Sequence, residues 1–229
     1  MGPRYPADVS TIPRERRIRV TELYRSIQGE STHAGKPCVF VRLTGCPLRC
    51  TWCDSAFTFS GGTVRDLDEV VAEASAFGIH TVEVTGGEPL AQPNAIVLME
   101  KLLERGHDVL LETSGALSIA DVPERVFVIL DFKAPDSGEE ARNHWENVGL
   151  LRPHHEVKFV LASRRDYDWA VDVTVAHDLA SRCAAVLFSP AWGTLAPSDL
   201  VEWMLEDGVP ARLGLQLHKV VWDPVARGV

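Results

Sequence analysis

The chain has 229 residues, of which 45% are hydrophobic and 24% are charged. This length can bury one sizeable core, and the composition is too polar for a membrane-spanning protein. The formal net charge of -9 disfavours a nucleic-acid binder, because neutralising phosphates needs a basic face. A small-molecule substrate fits this charge better. Residues 1–17 lack the apolar stretch of a secretory signal, so we expect a cytoplasmic protein. We predict a flexible extension over residues 1–17 and a single domain over residues 18–229.

Short apolar segments alternate with helical ones along most of the chain, which predicts repeated strand and helix units. Parallel strands joined by crossover helices form a sheet with helices outside it, and such a sheet can close fully or partly into a barrel. We therefore predict an α/β fold, a partial (β/α) barrel with about six parallel strands and outer helices. The predicted strands are 19–24, 39–44, 81–85, 108–113, 126–131, 156–160, 186–189 and 213–216.

Three helices are predicted from their capping residues. Residues 67–77 follow Asp66 and end at a glycine, the pattern of a capping box with a glycine after the last turn. Residues 94–105 also end at a glycine. Residues 199–206 are predicted to begin behind Ser198 as the N-cap.

Polar or glycine-containing segments follow the carboxyl ends of the predicted parallel strands. In a parallel sheet the loops at this end build the active site, so we expect these segments to meet in one place. They are residues 45–57, 85–89, 112–115, 131–133 and 189–192.

Three of the five cysteines, Cys46, Cys50 and Cys53, lie within eight residues of one predicted loop. Their spacing allows them to surround one compact metal centre, and the absence of an evident fourth ligand leaves one metal position open. A structural zinc is the alternative, with His33 or Cys38 as the fourth ligand. Otherwise Cys38, like Cys183, is predicted to be a small buried hydrophobe.

The cysteine loop resembles that of the radical S-adenosylmethionine (SAM) superfamily, in which an aromatic residue, here Trp52, precedes the third cysteine. The run Gly86-Gly87-Glu88-Pro89 is similar to the second motif of that superfamily. The resemblance implies that three cysteines hold a 4Fe-4S cluster and that its fourth iron binds SAM. One electron then cleaves SAM to a 5'-deoxyadenosyl radical, so the cluster and this radical carry the chemistry and no catalytic side chain is assigned.

A narrower resemblance, covering most of the chain, is to the 7-carboxy-7-deazaguanine synthase family. Its motifs are residues 26–31 (SIQGES), 40–46, 53–55, 112–115 and 216–219. The resemblance implies conversion of 6-carboxy-5,6,7,8-tetrahydropterin to 7-carboxy-7-deazaguanine with loss of ammonia, in the queuosine and deazapurine pathways. It also implies a homodimer and an electron donor such as flavodoxin or ferredoxin.

The same resemblance assigns residues to the substrate and to SAM. A pterin edge carries donors and acceptors that a buried amide and carboxylate can pair with, and its carboxylate suits a guanidinium. For Gln28 and Glu30 a solvated turn is the alternative, for Arg42 a surface salt bridge, and for Thr85 an ordinary strand position. The implied substrate residues are Ile27, Gln28, Gly29, Glu30, Arg42, Thr85 and the terminal Val229. The implied SAM residues are Thr51, Trp52, Gly87, Glu88, Glu112, Ser114, Asp131, Lys133 and Ser189.

The family resemblance also implies Mg²⁺, with the hydroxyl of Ser55 as a ligand and Asp54 as an alternative. One hydroxyl supplies one oxygen, so substrate and water would complete the shell. Two rival functions remain from the residues alone. A glycyl-radical-enzyme activase shares the cysteine spacing, and a non-enzymatic iron-sulfur or zinc-binding module would have a fourth protein ligand.

Overall fold

The computed structural model describes residues 11–229. Within these residues nine strands form one mixed sheet, in the order β3-β1-β2-β4-β5-β6-β7-β8-β9. The first strand is antiparallel to β2 and β3, and the strands from β2 through β4 to β9 are parallel. The strands are β1 (Arg17–Ile27), β2 (Pro37–Leu43), β3 (Thr63–Asp66), β4 (Thr81–Gly86), β5 (Asp108–Thr113), β6 (Phe127–Lys133), β7 (Glu156–Leu161), β8 (Ala185–Pro190) and β9 (Arg212–Leu213).

The predicted partial barrel is confirmed, with seven parallel strands where about six were expected. The last predicted strand, 213–216, is present as the two-residue β9, and the short antiparallel β3 was not predicted. The sheet curls far enough for side chains of distant strands to meet: Lys158 of β7 contacts Glu112 of β5 and Glu30 in the loop after β1. The edge strands β3 and β9 are not paired with each other in the described residues. The barrel is therefore open along that side.

Among residues 11–229, five helices cover the outside of the sheet: α1 (Leu67–Ala76), α2 (Asn94–Glu104), α3 (Arg164–Ala176), α4 (Leu179–Arg182) and α5 (Pro197–Asp207). A sixth, α6 (Leu217–Val221), lies on the interior side. Asp66 caps α1 as predicted, accepting a hydrogen bond from the backbone N–H of Asp68. The Ser198 cap was wrong, because α5 begins at Pro197 behind Ala196. Proline suits this position, since the first helical N–H has no partner within the helix. Helix α3, with Ser163 as its N-cap, was not predicted.

Alternate residues of the parallel strands face different surroundings. Val39, Val41 and Leu43 of β2 belong to the apolar core between sheet and helices, whereas Phe40 and Arg42 face the barrel interior. The same alternation runs through β4 to β7, because successive side chains of a strand point to opposite faces. Both faces of the sheet are covered, and the interior face carries the polar residues.

Two segments pack against the interior from outside the sheet. In the β1–β2 loop, Thr32 donates from its backbone N–H and its hydroxyl to Glu156 at the start of β7. The backbone N–H of Leu217 donates to the Gly29 carbonyl at 2.7 Å. An alanine at Gly29 would place its Cβ 2.3 Å from Nδ1 of His218. Glycine at residue 29 therefore lets the C-terminal segment approach residues 26–31.

The structure describes only residues 11–17 of the predicted extension, because residues 1–10 lie outside the described residues. Ile12 is buried, and Arg16 forms ion pairs with Asp66 and Asp68. Strand β1 begins at Arg17. The flexibility of the extension stays a prediction.

Candidate active site

A cavity of about 610 Å³ lies at the carboxyl ends of the parallel strands. All but two of the predicted site residues line it, so segments that are far apart in sequence meet as expected. The lining residues among them are Ile27, Gln28, Gly29, Glu30, Arg42, Cys46, Cys50, Trp52, Cys53, Ser55, Thr85, Gly87, Glu112, Ser114, Asp131, Lys133, Ser189 and Val229. The two that do not line it are Thr51 and Glu88.

The cysteine loop, residues 45–57, forms one wall of the cavity. Thr51 lies behind this wall, where its backbone N–H donates to the Ser137 carbonyl and its hydroxyl lies 3.1 Å from the Asp136 and Ser137 carbonyls. It thereby ties the loop to the segment after β6. Thr51 therefore holds the loop through both its backbone N–H and its hydroxyl, and it does not line the cavity.

All three predicted ligand cysteines are free thiols that are partly exposed. Burial raises the pKa of each, that of Cys50 to about 11, so metal binding must displace a proton from each thiol. In the described part of the chain no three ligand side chains converge on a single ion position. A 4Fe-4S cluster offers a separate iron to each cysteine, so three thiols spread along one cavity wall fit it. Cys38 and Cys183 are buried, as predicted.

The turn after β4 packs directly against the base of the cysteine loop. The backbone N–H of Gly87 donates to the Leu43 carbonyl at 3.2 Å, and that of Glu88 donates to the Gly45 carbonyl at 2.8 Å. A Cβ on Gly87 would lie 2.2 Å from the Gly45 carbonyl oxygen. Gly86 has φ +140° and equally little room against Leu43. The paired glycines thus permit close approach of two backbones as well as access to the cavity.

Glu88 is fully buried, and its carboxylate is occupied by hydrogen bonds from within the chain. It accepts from the Leu90 backbone N–H at 2.9 Å, the Thr113 hydroxyl at 2.9 Å and the Ser114 backbone N–H at 2.7 Å. The Ser114 hydroxyl adds a further bond at 2.5 Å. In this structure Glu88 positions Ser114, which lines the cavity, instead of reaching the cavity itself.

A buried ion network occupies the deep end of the cavity. Lys158 lies within 2.7 Å of Glu30, in contact with Glu112 and 3.6 Å from Asp131. We call Lys158 and these three carboxyl groups the interior network. Burial raises the pKa of Glu112 to about 8, and the attraction of Lys158 only partly opposes this because three other carboxyl groups lie nearby. At Glu30 burial also disfavours ionisation, but Lys158 and Gln216 outweigh it and lower the pKa.

Gln28 is buried beside this network, and both ends of its amide are hydrogen-bonded. Its Nε2 donates to Glu83 at 2.8 Å, and its Oε1 accepts from the Glu30 backbone N–H at 2.5 Å. The solvated-turn alternative is therefore wrong for Gln28, whose residue exposure is 2%. Thr85 is also buried on the interior face of β4, two residues beyond Glu83.

Arg42 points into the cavity and is held by two partners from β1. Its Nη2 donates to the Tyr24 hydroxyl at 2.8 Å, and its Nε donates to Glu22 at 3.2 Å. The surface salt bridge that was the alternative is thus present in part, but 17% exposure of the side chain places it at the cavity wall. Phe57 of the cysteine loop lies 5.9 Å from the guanidinium carbon.

The mouth of the cavity combines the end of the cysteine loop with the C-terminal segment. The Ser55 hydroxyl donates to Asp54 at 3.0 Å, and the Asp54 carboxylate is paired with Lys219 at 2.7 Å. Although partial desolvation opposes the shift, Lys219 and neighbouring hydrogen bonds lower the pKa of the half-exposed Asp54 carboxyl to about 2. Arg227 stacks 3.8 Å from the Phe57 ring centre, which brings the chain end at Val229 to the cavity.

Asp131 and Lys133 project from the end of β6 beside the thiols. Lys133 pairs with Asp131 Oδ2 at 2.9 Å, and this partner keeps the pKa of the buried ammonium raised although burial opposes it. Asp131 Oδ1 is buried, and no group in residues 11–229 hydrogen-bonds to it. A buried acceptor without a donor costs free energy, so this position fits a ligand that bears a hydroxyl group.

The sequence reasoning missed several residues of the cavity, foremost Glu83 and Lys158, and also Tyr24 and Glu22. The signal for Glu83 and Lys158 was present: each is a charged residue in the middle of an apolar strand, the same signal that singled out Arg42. Gln216, His218 and Lys219 lay in a motif used only for the resemblance. The structure places all three on the cavity.

The chain is similar to several known proteins. Residues 40–135 match the family model of the radical SAM superfamily. A protein of Koribacter versatilis named 7-carboxy-7-deazaguanine synthase is 46% identical over 226 residues, which cover 93% of this chain and 100% of that protein. One of the same name from Chlorobaculum tepidum is 44% identical, covering 93% and 97%. The crystal structure of QueE from Escherichia coli has the same fold, with a TM-score of 0.68 at 22% identity over 88% of this chain and 95% of that one.

Proposed function

This chain belongs to the 7-carboxy-7-deazaguanine synthase family, and we propose that it converts 6-carboxy-5,6,7,8-tetrahydropterin to 7-carboxy-7-deazaguanine with loss of ammonia. The resemblance predicted from the cysteine loop and the SIQGES motif is confirmed. One observation supports the proposal most: a single cavity joins three free thiols at one wall to a buried amide, a carboxylate and a guanidinium at the other. The two reacting partners would meet there.

The radical SAM family implies a 4Fe-4S cluster and SAM. Cys46, Cys50 and Cys53 would hold the cluster, which would supply the electron for the reductive cleavage of SAM. The chain contributes a wall that positions three thiolates. The hydrogen bonds of Thr51 and of the Gly87 turn hold that wall in place.

For SAM we propose the part of the cavity between the thiols and the ends of β4 to β8. Gly87 leaves room for the methionine part, Ser114 is oriented by Glu88, and the open Oδ1 of Asp131 suits a ribose hydroxyl. Trp52, Glu112, Lys133 and Ser189 complete this surface. Thr51 and Glu88 support it from behind.

For the substrate we propose the deep part of the cavity. Gln28, fixed by Glu83 and by the Glu30 backbone, presents its remaining amide N–H to the ring, and Arg42 is available to the substrate carboxylate. Thr85 and the backbone of Ile27 and Gly29 lie alongside. Burial of these groups removes competing water, which strengthens each polar contact.

We also propose that Mg²⁺ binds at Ser55 when substrate is present. Asp54 is committed to Lys219 and Gln216, so Ser55 is the chain's oxygen donor and substrate and water supply the others. Replacing Ser55 by alanine should remove the stimulation of product formation by Mg²⁺ and leave SAM cleavage without substrate unchanged. A homodimer and reduction by flavodoxin or ferredoxin complete the proposal.

The proposal is tested by anaerobic turnover of the reconstituted enzyme with dithionite, SAM, Mg²⁺ and the carboxypterin, with products identified by mass spectrometry. We expect 7-carboxy-7-deazaguanine and ammonia in equal amounts, without net consumption of SAM. Gln28→Ala should weaken substrate use and leave substrate-free cleavage of SAM intact. Cleavage of SAM by the wild-type enzyme with no deazapurine product would contradict the proposal.

The described residues contain no helix that is both long enough and apolar enough to cross a bilayer.

A further inference from the structure

Glu83 is a buried carboxyl group in the substrate part of the cavity that the family motifs do not include. It lies in the middle of β4 on the interior face, with 4% exposure, and it lines the cavity. Its Oε2 accepts a hydrogen bond from Gln28 at 2.8 Å. Among the hydrogen bonds of residues 11–229 none is donated to its Oε1, and this oxygen is open to the cavity.

The neighbouring carboxylate, Glu30, differs in this respect. Its Oε1 accepts from Gln216 at 3.0 Å and its Oε2 accepts from Lys158 at 2.7 Å, so both oxygens already have donors within the chain. Glu83 therefore offers an open acceptor at a place where Glu30 does not. An oxygen that faces the cavity and has no donor within the chain can accept a hydrogen bond from a ligand N–H.

We infer, resting on the proposed function, that Glu83 is a substrate-binding residue whose carboxylate accepts a hydrogen bond from the 2-amino or N3–H group of the pterin ring. These two donors lie side by side on one ring edge, and either one would match the single carboxylate oxygen that Gln28 leaves open. Because Glu83 also holds the Gln28 amide, it sets the direction of the remaining Gln28 N–H. The pair would therefore recognise an aminopyrimidinone ring and discriminate against rings that lack these donors.

The electrostatic surroundings give this contact a pH dependence. Burial raises the pKa of Glu83 to about 7; Gln28 opposes this shift, Glu30 adds to it, and Arg42 and Lys158 oppose it. Tyr24 and Glu112 also lie within the electrostatic reach of Glu83. A substrate N–H favours the ionised carboxylate, so substrate binding should weaken as the pH falls below 7.

The test compares Glu83→Gln with Glu156→Gln, which removes a buried carboxylate that lies outside the cavity and holds Thr32. For each reconstituted enzyme we would measure KM and kcat for the deazapurine product and the rate of SAM cleavage without substrate. Glu83→Gln should raise KM about tenfold or more, the effect of losing a charge-assisted hydrogen bond, with substrate-free cleavage within about twofold of wild type. Glu156→Gln should leave KM within about twofold.

The pH profile supplies a readout that a structural role would not change. Wild-type KM should rise roughly eightfold from pH 7.5 to pH 6, and Glu83→Gln should abolish this rise. An unchanged KM in Glu83→Gln would overturn the inference while the proposed function stands. If the variant does not fold, a wild-type KM that is flat over this range would overturn it instead. Absence of deazapurine product from the wild-type enzyme would remove the proposed function and the inference with it.

Discussion

The two ends of the cavity are built in different ways. The cysteine loop is held chiefly by backbone contacts with the Gly87 turn and the segment after β6. The deep end is held by side chains: Lys158 gathers carboxylates from three different segments of the chain. One end offers open ligand positions, and the other is already organised by its own charges.

Because of this difference, cluster assembly depends on one end of the cavity and substrate recognition on the other. Thiols that carry protons can exchange them for iron, so the loop is completed by metal. The interior network is already arranged without a metal, because Lys158 lies within hydrogen-bond distance of Glu30 and Glu112. We therefore expect changes at the loop to affect cluster content and SAM cleavage, and changes at the deep end to affect stability and substrate use.

The largest effect is expected at the cysteine loop. Cys50→Ala leaves two thiolates for a centre that needs three, so cluster assembly and product formation should both be lost. Iron and acid-labile sulfide per chain, measured after anaerobic reconstitution, check the first expectation, and product analysis checks the second. Cys183→Ala is the matched control: Cys183 is buried away from the cavity, and that variant should retain its cluster. Turnover by Cys50→Ala would refute the three-cysteine assignment.

At the deep end the largest effect is expected from Lys158→Met. This change leaves Glu30, Glu112 and Asp131 without their shared cation, and removing one partner of a buried ion pair costs about 3–5 kcal/mol. The thermal midpoint of the reconstituted enzyme should fall by roughly 10 °C. Arg65→Ala, which breaks a surface pair with Glu73, should cost less than about 1 kcal/mol. Equal shifts in the two variants would mean that the interior network contributes no more than a surface pair.

A smaller effect on stability is expected from Gly87→Ala. The added methyl group would lie 2.2 Å from the Gly45 carbonyl oxygen, so the cysteine loop must move, at a cost of about 1–3 kcal/mol. Displacing the loop should slow substrate-free SAM cleavage at least tenfold, since the reacting groups lose their alignment. At Gly149 a new Cβ would meet no atom within 4 Å, and Gly149→Ala should change neither quantity measurably. Normal cleavage by Gly87→Ala would show that the loop tolerates displacement.

Much of the fold could be predicted because most strands are short apolar runs that are recognisable in the sequence. β5 has the predicted bounds of residues 108–113, and α1 begins at the residue that its cap predicts. Helix α3 was missed because its sequence, RRDYDWAVDVTVA, is polar and carries β-branched residues that favour strands. Its burial against the sheet, not its local propensity, makes it helical.

The candidate site was predictable where a motif is local in sequence, as at the three cysteines. The interior network was not, since it needs side chains from β5, β6, β7 and the β1–β2 loop to converge, and convergence depends on how far the sheet curls. Glu88 shows the converse. Its motif predicted contact with a ligand, whereas burial turns its carboxylate to Thr113 and Ser114.

The smallest effect is a pH dependence of folding stability that arises from Glu112 in the interior network. Glu112 has a pKa of about 8 in the folded chain against an ordinary 4.5, chiefly because it is buried, so folding takes up a proton. The stability this gives is fully present below pH 4.5 and is lost as the pH rises through 8. Between pH 7 and 8.5 the loss should amount to about 1 kcal/mol, seen as a falling thermal midpoint. Glu112→Gln should flatten this decline. In Glu83→Gln, where the lost group has a pKa of about 7, most of the decline above pH 7.5 should persist. If Glu112→Gln declines as steeply as wild type, the proton taken up on folding is held elsewhere than in the interior network.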